Sequence, residues 1–193
     1  SYRRQRQMCI RDSSLSAAYT LEPDLVELEE ELEDLAALTG RNSDLIDTYE
    51  QILVEVPDRE IALRVKMGEL AEQRLGDLHK AIQIYQEILN QEPEYLEVMV
   101  ALERLLAESE NYSDLASLYH QKLDIIEDPR LRSEVYATLA DVYEKQLSLP
   151  YEAIEVWRRQ LIDDETHEKG YIELERLLKS AQSFDELAAL YEE

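Results

Sequence analysis

Apolar positions recur along this chain at helical spacing, in segments that come in pairs. In DLIDTYEQIL (44–53), Leu45, Ile46, Tyr49, Ile52 and Leu53 fall on one face of a 3.6-residue helix. KAIQIYQEIL (80–89), DLASLYHQKL (114–123), EAIEVWRRQL (152–161) and the terminal ELAALYEE (186–193) carry the same pattern. Each is preceded by a second amphipathic segment. In ELEDLAALTGRNSDLIDTY, ALERLLAESENYSDLASLY and ELERLLKSAQSFDELAALY only a short polar stretch separates the two. Such a connection makes an antiparallel pair, so the predicted unit is a helical hairpin of about 34 to 38 residues, helix A followed by helix B.

One aromatic marks every helix B: Tyr49, Tyr85, Tyr119, Trp157 and Tyr191. Its fixed place within the apolar face predicts packing between helices rather than an aromatic recognition stripe. Pro57 and Pro93 each stand eight residues after their tyrosine and predict the end of helix B, because proline cannot continue the hydrogen-bond ladder. Units two and four hold one more residue between their helices than units one, three and five. The array therefore has a double period, which duplication of a two-repeat block would produce.

These residues resemble the tetratricopeptide repeat (TPR) family. The unit nearest to the family pattern is MGELAEQRLGDLHKAIQIYQEILNQEP, where Met67 and Gly68 match the large-small pair of helix A. Ala81 matches the small residue of helix B, Tyr85 its aromatic and Pro93 its terminating proline; Leu139, Ala140, Tyr143 and Ala153 correspond in unit four. The sequence departs from the family where Glu33, Glu103 and Glu175 replace the small helix A residue, and where Ile52, Ile88, Lys122 and Gln160 replace the small residue late in helix B. Looser or differently angled crossings are expected there. The resemblance implies an all-α, right-handed α-solenoid of about five TPR-like hairpins plus a partial upstream helix. Its units would be about 23–57, 58–93, 94–129, 130–166 and 167–193, within an array covering 14–193.

The periodicity reaches back into LSAAYTLEP, Leu15 to Pro23, and then stops. The head before it, SYRRQRQMCIRDS, matches no other unit and resembles the translated sequencing-adapter peptide containing QRQMCIRD. Residues 1–13 are therefore expected to be a non-native or disordered head. ELAALYEE stops before the Leu column seen at Leu53, Leu89, Leu123 and Leu161. Repeat arrays need polar capping helices, and neither end supplies one, so an internal piece of a longer bacterial-type protein, of metagenomic origin, is expected.

Charge sharpens the functional reading. Forty-four Asp and Glu against 20 Lys and Arg give a formal net charge of -24, a surface that repels phosphate backbones and anionic membranes. No apolar run approaches the roughly 20 residues that cross a bilayer. The single cysteine, Cys9, suits a reducing compartment without establishing one. The compartment is left open, with the cytoplasm favoured over the periplasm.

No motif for catalysis, cofactor or metal stands out. There is no phosphate-binding glycine loop, paired cysteine or His-x-x-x-His spacing, and His79, His120 and His167 stand alone, which predicts surface or capping roles. The acidic runs ELEEELED and IDDETHE lack the ligand spacing of a calcium loop and read as solvated faces. No enzyme, cofactor or metal is expected.

The resemblance implies that helices A line a concave face. On it this sequence would place Glu30, Asp34, Val65, Glu69, Glu72, Val100, Arg104, Ala137, Asp141, Glu144, Ile172 and Arg176. Most of this groove is acidic, with Arg176 and Lys179 adding basic charge at its end. The expected function is a non-enzymatic protein-protein interaction scaffold that binds a peptide or protein with basic residues, and neither nucleic acid nor membrane. A regulatory or spacer segment of a larger enzyme or signalling protein is the alternative, and oligomeric state is left open.

Overall fold

The computed structural model describes residues 17–19, 26–53 and 57–191. The head at 1–13 and most of the Leu15–Pro23 stretch lie outside the described residues; residues 17–19 are helical, with Tyr19 buried. Ten α-helices follow: α1 (Val26–Thr39), α2 (Asn42–Ile52), α3 (Glu60–Leu70), α4 (Leu78–Gln91), α5 (Leu96–Glu108), α6 (Tyr112–Ile125), α7 (Pro129–Asp141), α8 (Pro150–Asp163), α9 (Glu168–Ser180) and α10 (Phe184–Leu190). No strand occurs among the described residues. The class is all-α, built of helical hairpins, with odd-numbered helices as A and even-numbered helices as B.

The chain divides into two compact units, Ser1–Leu105 and Leu106–Glu193, with the division inside α5. In the first unit α1 packs on α2, α2 on α3, and α3 on α4. In the second, α6 packs on α7, α7 on α8, α8 on α9, and α9 on α10. Within each unit the helices of these pairs thus cover one another's apolar stripes. Tyr49, Tyr85, Tyr119 and Trp157 are all buried, at most 5% exposed, whereas the terminal Tyr191 is 63% exposed. The aromatic column is core, because each of these four rings sits on the buried stripe of its helix B.

Local chemistry sets the helix ends. Asp77 and Asp128 cap α4 and α7 by accepting from the amides of Lys80 (3.0 Å) and of Arg130 (2.8 Å) and Leu131 (3.1 Å), and Pro129 and Pro150 occupy first helical positions, where no amide donor is needed. Every A-to-B turn contains a left-handed residue: Gly40, Gly76, Glu110, Ser148 and Gln182.

The double period has a structural form. The extra residue of units two and four is taken up at the end of helix A, which widens into a π-helical turn at Ala71–Leu75 after α3 and at Val142–Gln146 after α7. Units one, three and five end α1, α5 and α9 without it.

Candidate functional site

The alternation also governs how each aromatic meets its helix A. In unit two Gly68 leaves room for Tyr85: a Cβ at position 68 would stand 2.3 Å from the ring. In units one and five the residue in that place is a glutamate, and its carboxylate accepts the phenol instead, Tyr49 to Glu33 at 2.9 Å and Tyr191 to Glu175 at 2.6 Å. Glu33 and Glu175, two of the glutamates that break the family pattern, are thus hydrogen-bond partners of the column. The sequence carried a signal for this, a Glu sixteen residues before the Tyr in each odd unit, Glu103 and Tyr119 included.

A second feature escapes sequence reasoning. Glu29 is only 2% exposed, and it accepts from Tyr19 at 2.6 Å and pairs with both Arg59 and Lys66. Lys66 also reaches Glu33 at 2.7 Å, so two carboxylates and two phenols share two cations. Burial works to raise the Glu29 pKa, but hydrogen bonds from Lys66, Tyr19 and Arg59 outweigh it and hold the carboxyl below its ordinary range. Tyr19, Arg59 and Lys66 lie 10, 30 and 37 residues from Glu29 in sequence, so no local pattern announces them.

The expected groove residues all reach solvent, none lying in the core. In the first unit Glu30 and Asp34 sit one turn apart on the exposed face of α1, while Leu32, Leu35 and Ala36 turn inward. Val65 is half-buried and Glu69 exposed on α3; Val100, 64% exposed, and Arg104 lie on α5. Arg104 donates to Glu72 of the π turn at 2.5 Å. Glu30, Asp34 and Glu69 form no ion pair among the described residues. The negative field of this face registers on Tyr85, whose phenol is pushed up to about 12, first by burial and then by Glu72 and Glu69.

In the second unit Ala137, Asp141, Glu144 and Arg176 come together around an open concavity of about 580 Å³, with Thr138, Lys145, Trp157, Lys169 and Glu173. Ile172 is exposed but does not line it. Arg176 donates to both oxygens of Glu144, at 2.8 and 2.6 Å, and to Glu173 at 2.8 Å; Lys145 pairs with Asp141 at 2.8 Å. The Arg176 hydrogen bond lowers the Glu144 pKa against the effect of burial. Lys179 is held by Glu175, so neither of the cations expected to make this end basic is without a carboxylate. The Arg104–Glu72 and Arg176–Glu144 pairs occupy equivalent places in the double period.

The histidines do structural work. His167 caps α9, its Nδ1 accepting from the Gly170 amide at 3.0 Å, and its ring stacks on Trp157 with centroids 6.4 Å apart. Its Nε2 lies 2.9 Å from Ser133 Oγ, a distance seen in nucleophile-base pairs. The cap excludes that role: an Nδ1 that accepts leaves the proton on Nε2, which then donates to the serine and cannot take its proton. His120 Nε2 meets Tyr143 Oη at 3.0 Å, and His79 is exposed. Among the described residues no group of three or more His, Cys, Asp or Glu is placed to hold a metal ion, and no helix is long and apolar enough to cross a membrane.

Comparison with known proteins yields one family: residues 98–133 match the model of the tetratricopeptide repeat. No curated protein matches the chain. Among solved structures it is similar to a tetratricopeptide repeat protein from Parabacteroides merdae (19% identity, 96% of this chain and 71% of that one, TM-score 0.45). It is likewise similar to MamA (14%, 82% and 90%, TM-score 0.43) and to BtubC from P. vanneervenii (18%, 98% and 87%, TM-score 0.43).

Proposed function

We propose that the chain is a tetratricopeptide repeat scaffold for protein-protein interaction, without enzymatic activity, and that its partner docks on the A-helix faces through basic residues. The observation that carries this reading is Glu30, Asp34 and Glu69, three exposed carboxylates without an ion pair among the described residues. Unpaired surface carboxylates attract a basic segment at long range and lose little solvation on meeting it, and exposed Val100 offers an apolar contact on α5. The concavity of the second unit is a weaker acidic attractor, since Asp141, Glu144 and Glu173 already face Lys145 and Arg176. Specificity there would come from exchange: a partner arginine competing for Glu144, or a partner carboxylate competing for Arg176.

Charge reversal tests this. Glu30→Lys, Asp34→Lys and Glu69→Lys combined, used as bait beside the wild-type chain in a lysate of the source organism, should lose a retained protein whose binding also falls with salt. Identical retention by both baits would remove the acidic-face reading and leave the scaffold reading standing. Retention of nothing by either would favour the spacer alternative.

A further inference from the structure

A pocket of about 260 Å³ opens in the second unit, lined by none of the residues that line the A-helix concavity. His120 of α6, Tyr143 of the π turn, and Tyr151, Glu152, Val156 and Arg159 of α8 line it. The His120 and Tyr143 rings are fixed against one another by their 3.0 Å hydrogen bond, with centroids 6.1 Å apart and planes at 50°. Tyr151 stands 60% exposed, a large ring with no place in the core. Two other tyrosines, Tyr119 and Tyr136, already carry cations over their faces, Lys122 at 5.6 Å and Arg132 at 5.7 Å. Among the described residues no cation lies over Tyr143 or Tyr151.

The charges at the rim select the occupant. Glu152 forms no ion pair among the described residues, and Glu155, which also lines the pocket, meets only Arg158, at 2.9 Å and in exposed surroundings. Among the described lining residues Arg159 carries the opposing charge, and it acts on Asp163, one turn further along α8, as well as on His120. Burial and then Arg159, opposed by Asp124, lower the His120 pKa, which favours the neutral imidazole and a π-face over a repelling charge. We propose that this pocket seats the cationic side chain of a lysine or arginine from a partner protein, with its charge over Tyr143 and Tyr151 and beside Glu152. The volume suits one extended side chain and excludes a helix. A partner held here engages residues that none of the A-helix faces uses, so the inference does not depend on the acidic-face reading.

The test uses the full chain in aromatic NMR, titrated with Nα-acetyl-argininamide and, in parallel, with uncharged Nα-acetyl-norleucinamide. The arginine probe should shift the rings of Tyr143, Tyr151 and His120 together, with the neutral probe at least about threefold weaker, the advantage expected of a cation on exposed rings. Glu152→Gln should weaken the arginine probe by a similar factor, and Tyr151→Ala should abolish the coordinated shifts. Tyr151 is exposed, and an unchanged far-UV spectrum verifies that the variant folds. Equal response to both probes, no shift at the three rings, or indifference to both substitutions overturns the proposal.

Discussion

Replacing Gly68 by Ala sets two effects of opposite sign against one another. Alanine is the better helix former, worth about 1 kcal/mol in a helix interior. Against this, its Cβ would lie 2.3, 2.8 and 2.9 Å from three atoms of the Tyr85 ring, where ordinary carbon contacts stand near 3.5 to 4.0 Å. The ring is 3% exposed and cannot swing into solvent, so α3 and α4 must part by roughly 1 Å or the ring must leave its rotamer. Overpacking of this kind costs about 1 to 3 kcal/mol, which outweighs the helix gain and leaves a net destabilisation of about 1 kcal/mol. For a chain of this length that is a fall in Tm of about 2 to 4 °C, read by circular dichroism at 222 nm. A Gly68→Ala/Tyr85→Leu double variant separates the causes, since without the ring alanine should become neutral or stabilising, a coupling of about 1 kcal/mol. A single Gly68→Ala variant that melts at or above the wild type would refute the close-contact reasoning.

Four further outcomes follow from the same geometry. Tyr49→Phe removes the phenol that donates to Glu33 and should cost about 1 kcal/mol in chemical denaturation, with Glu33→Gln recovering little because Lys66 then loses a partner. His167→Ala should cost about 1 kcal/mol through loss of the α9 cap, most of it restored by Asn at that position. Glu110→Gly should raise the denaturation midpoint, because a non-glycine residue at φ 55° costs about 1 kcal/mol that glycine does not incur. Glu29 and Asp163 both have folded pKa values below their ordinary ones, so the stability they contribute is full above the usual carboxylate range and drains away as pH falls through the depressed values. Melting temperature should therefore drop steeply on acidification below about pH 4, and Glu29→Gln should make that limb shallower.

The hairpins were legible because helix A and helix B each repeat an apolar stripe at 3.6 spacing, and because one aromatic per unit keeps its place. Tyr49, Tyr85, Tyr119 and Trp157 are core for the reason their spacing implied. What the spacing of units two and four did not reveal was where the extra residue goes. A one-residue insertion can lengthen the turn or widen the helix end, and only the packing of α2 and α6 against Ala71–Leu75 and Val142–Gln146 decides for the π turn. Glu33 and Glu175 looked like defects in the small-residue column because a family pattern records size, while the structure uses their hydrogen-bonding capacity. The Glu29 cluster was invisible because Tyr19, Arg59 and Lys66 converge on it from three separate stretches. Of the candidate surface, exposure was legible from helical phase, but pairing was not: Arg104 and Arg176 reach carboxylates 32 residues away.

The docking claim is tested most directly by a photo-crosslinking amino acid placed at exposed Val100, on the A-helix side, and separately at exposed Gln83 on α4, in the source cell. The account predicts a discrete crosslinked partner from position 100 that disappears when Glu30, Asp34 and Glu69 are reversed to lysine, and none from position 83. A partner captured from position 83 alone, or one captured from position 100 regardless of those three charges, would contradict it.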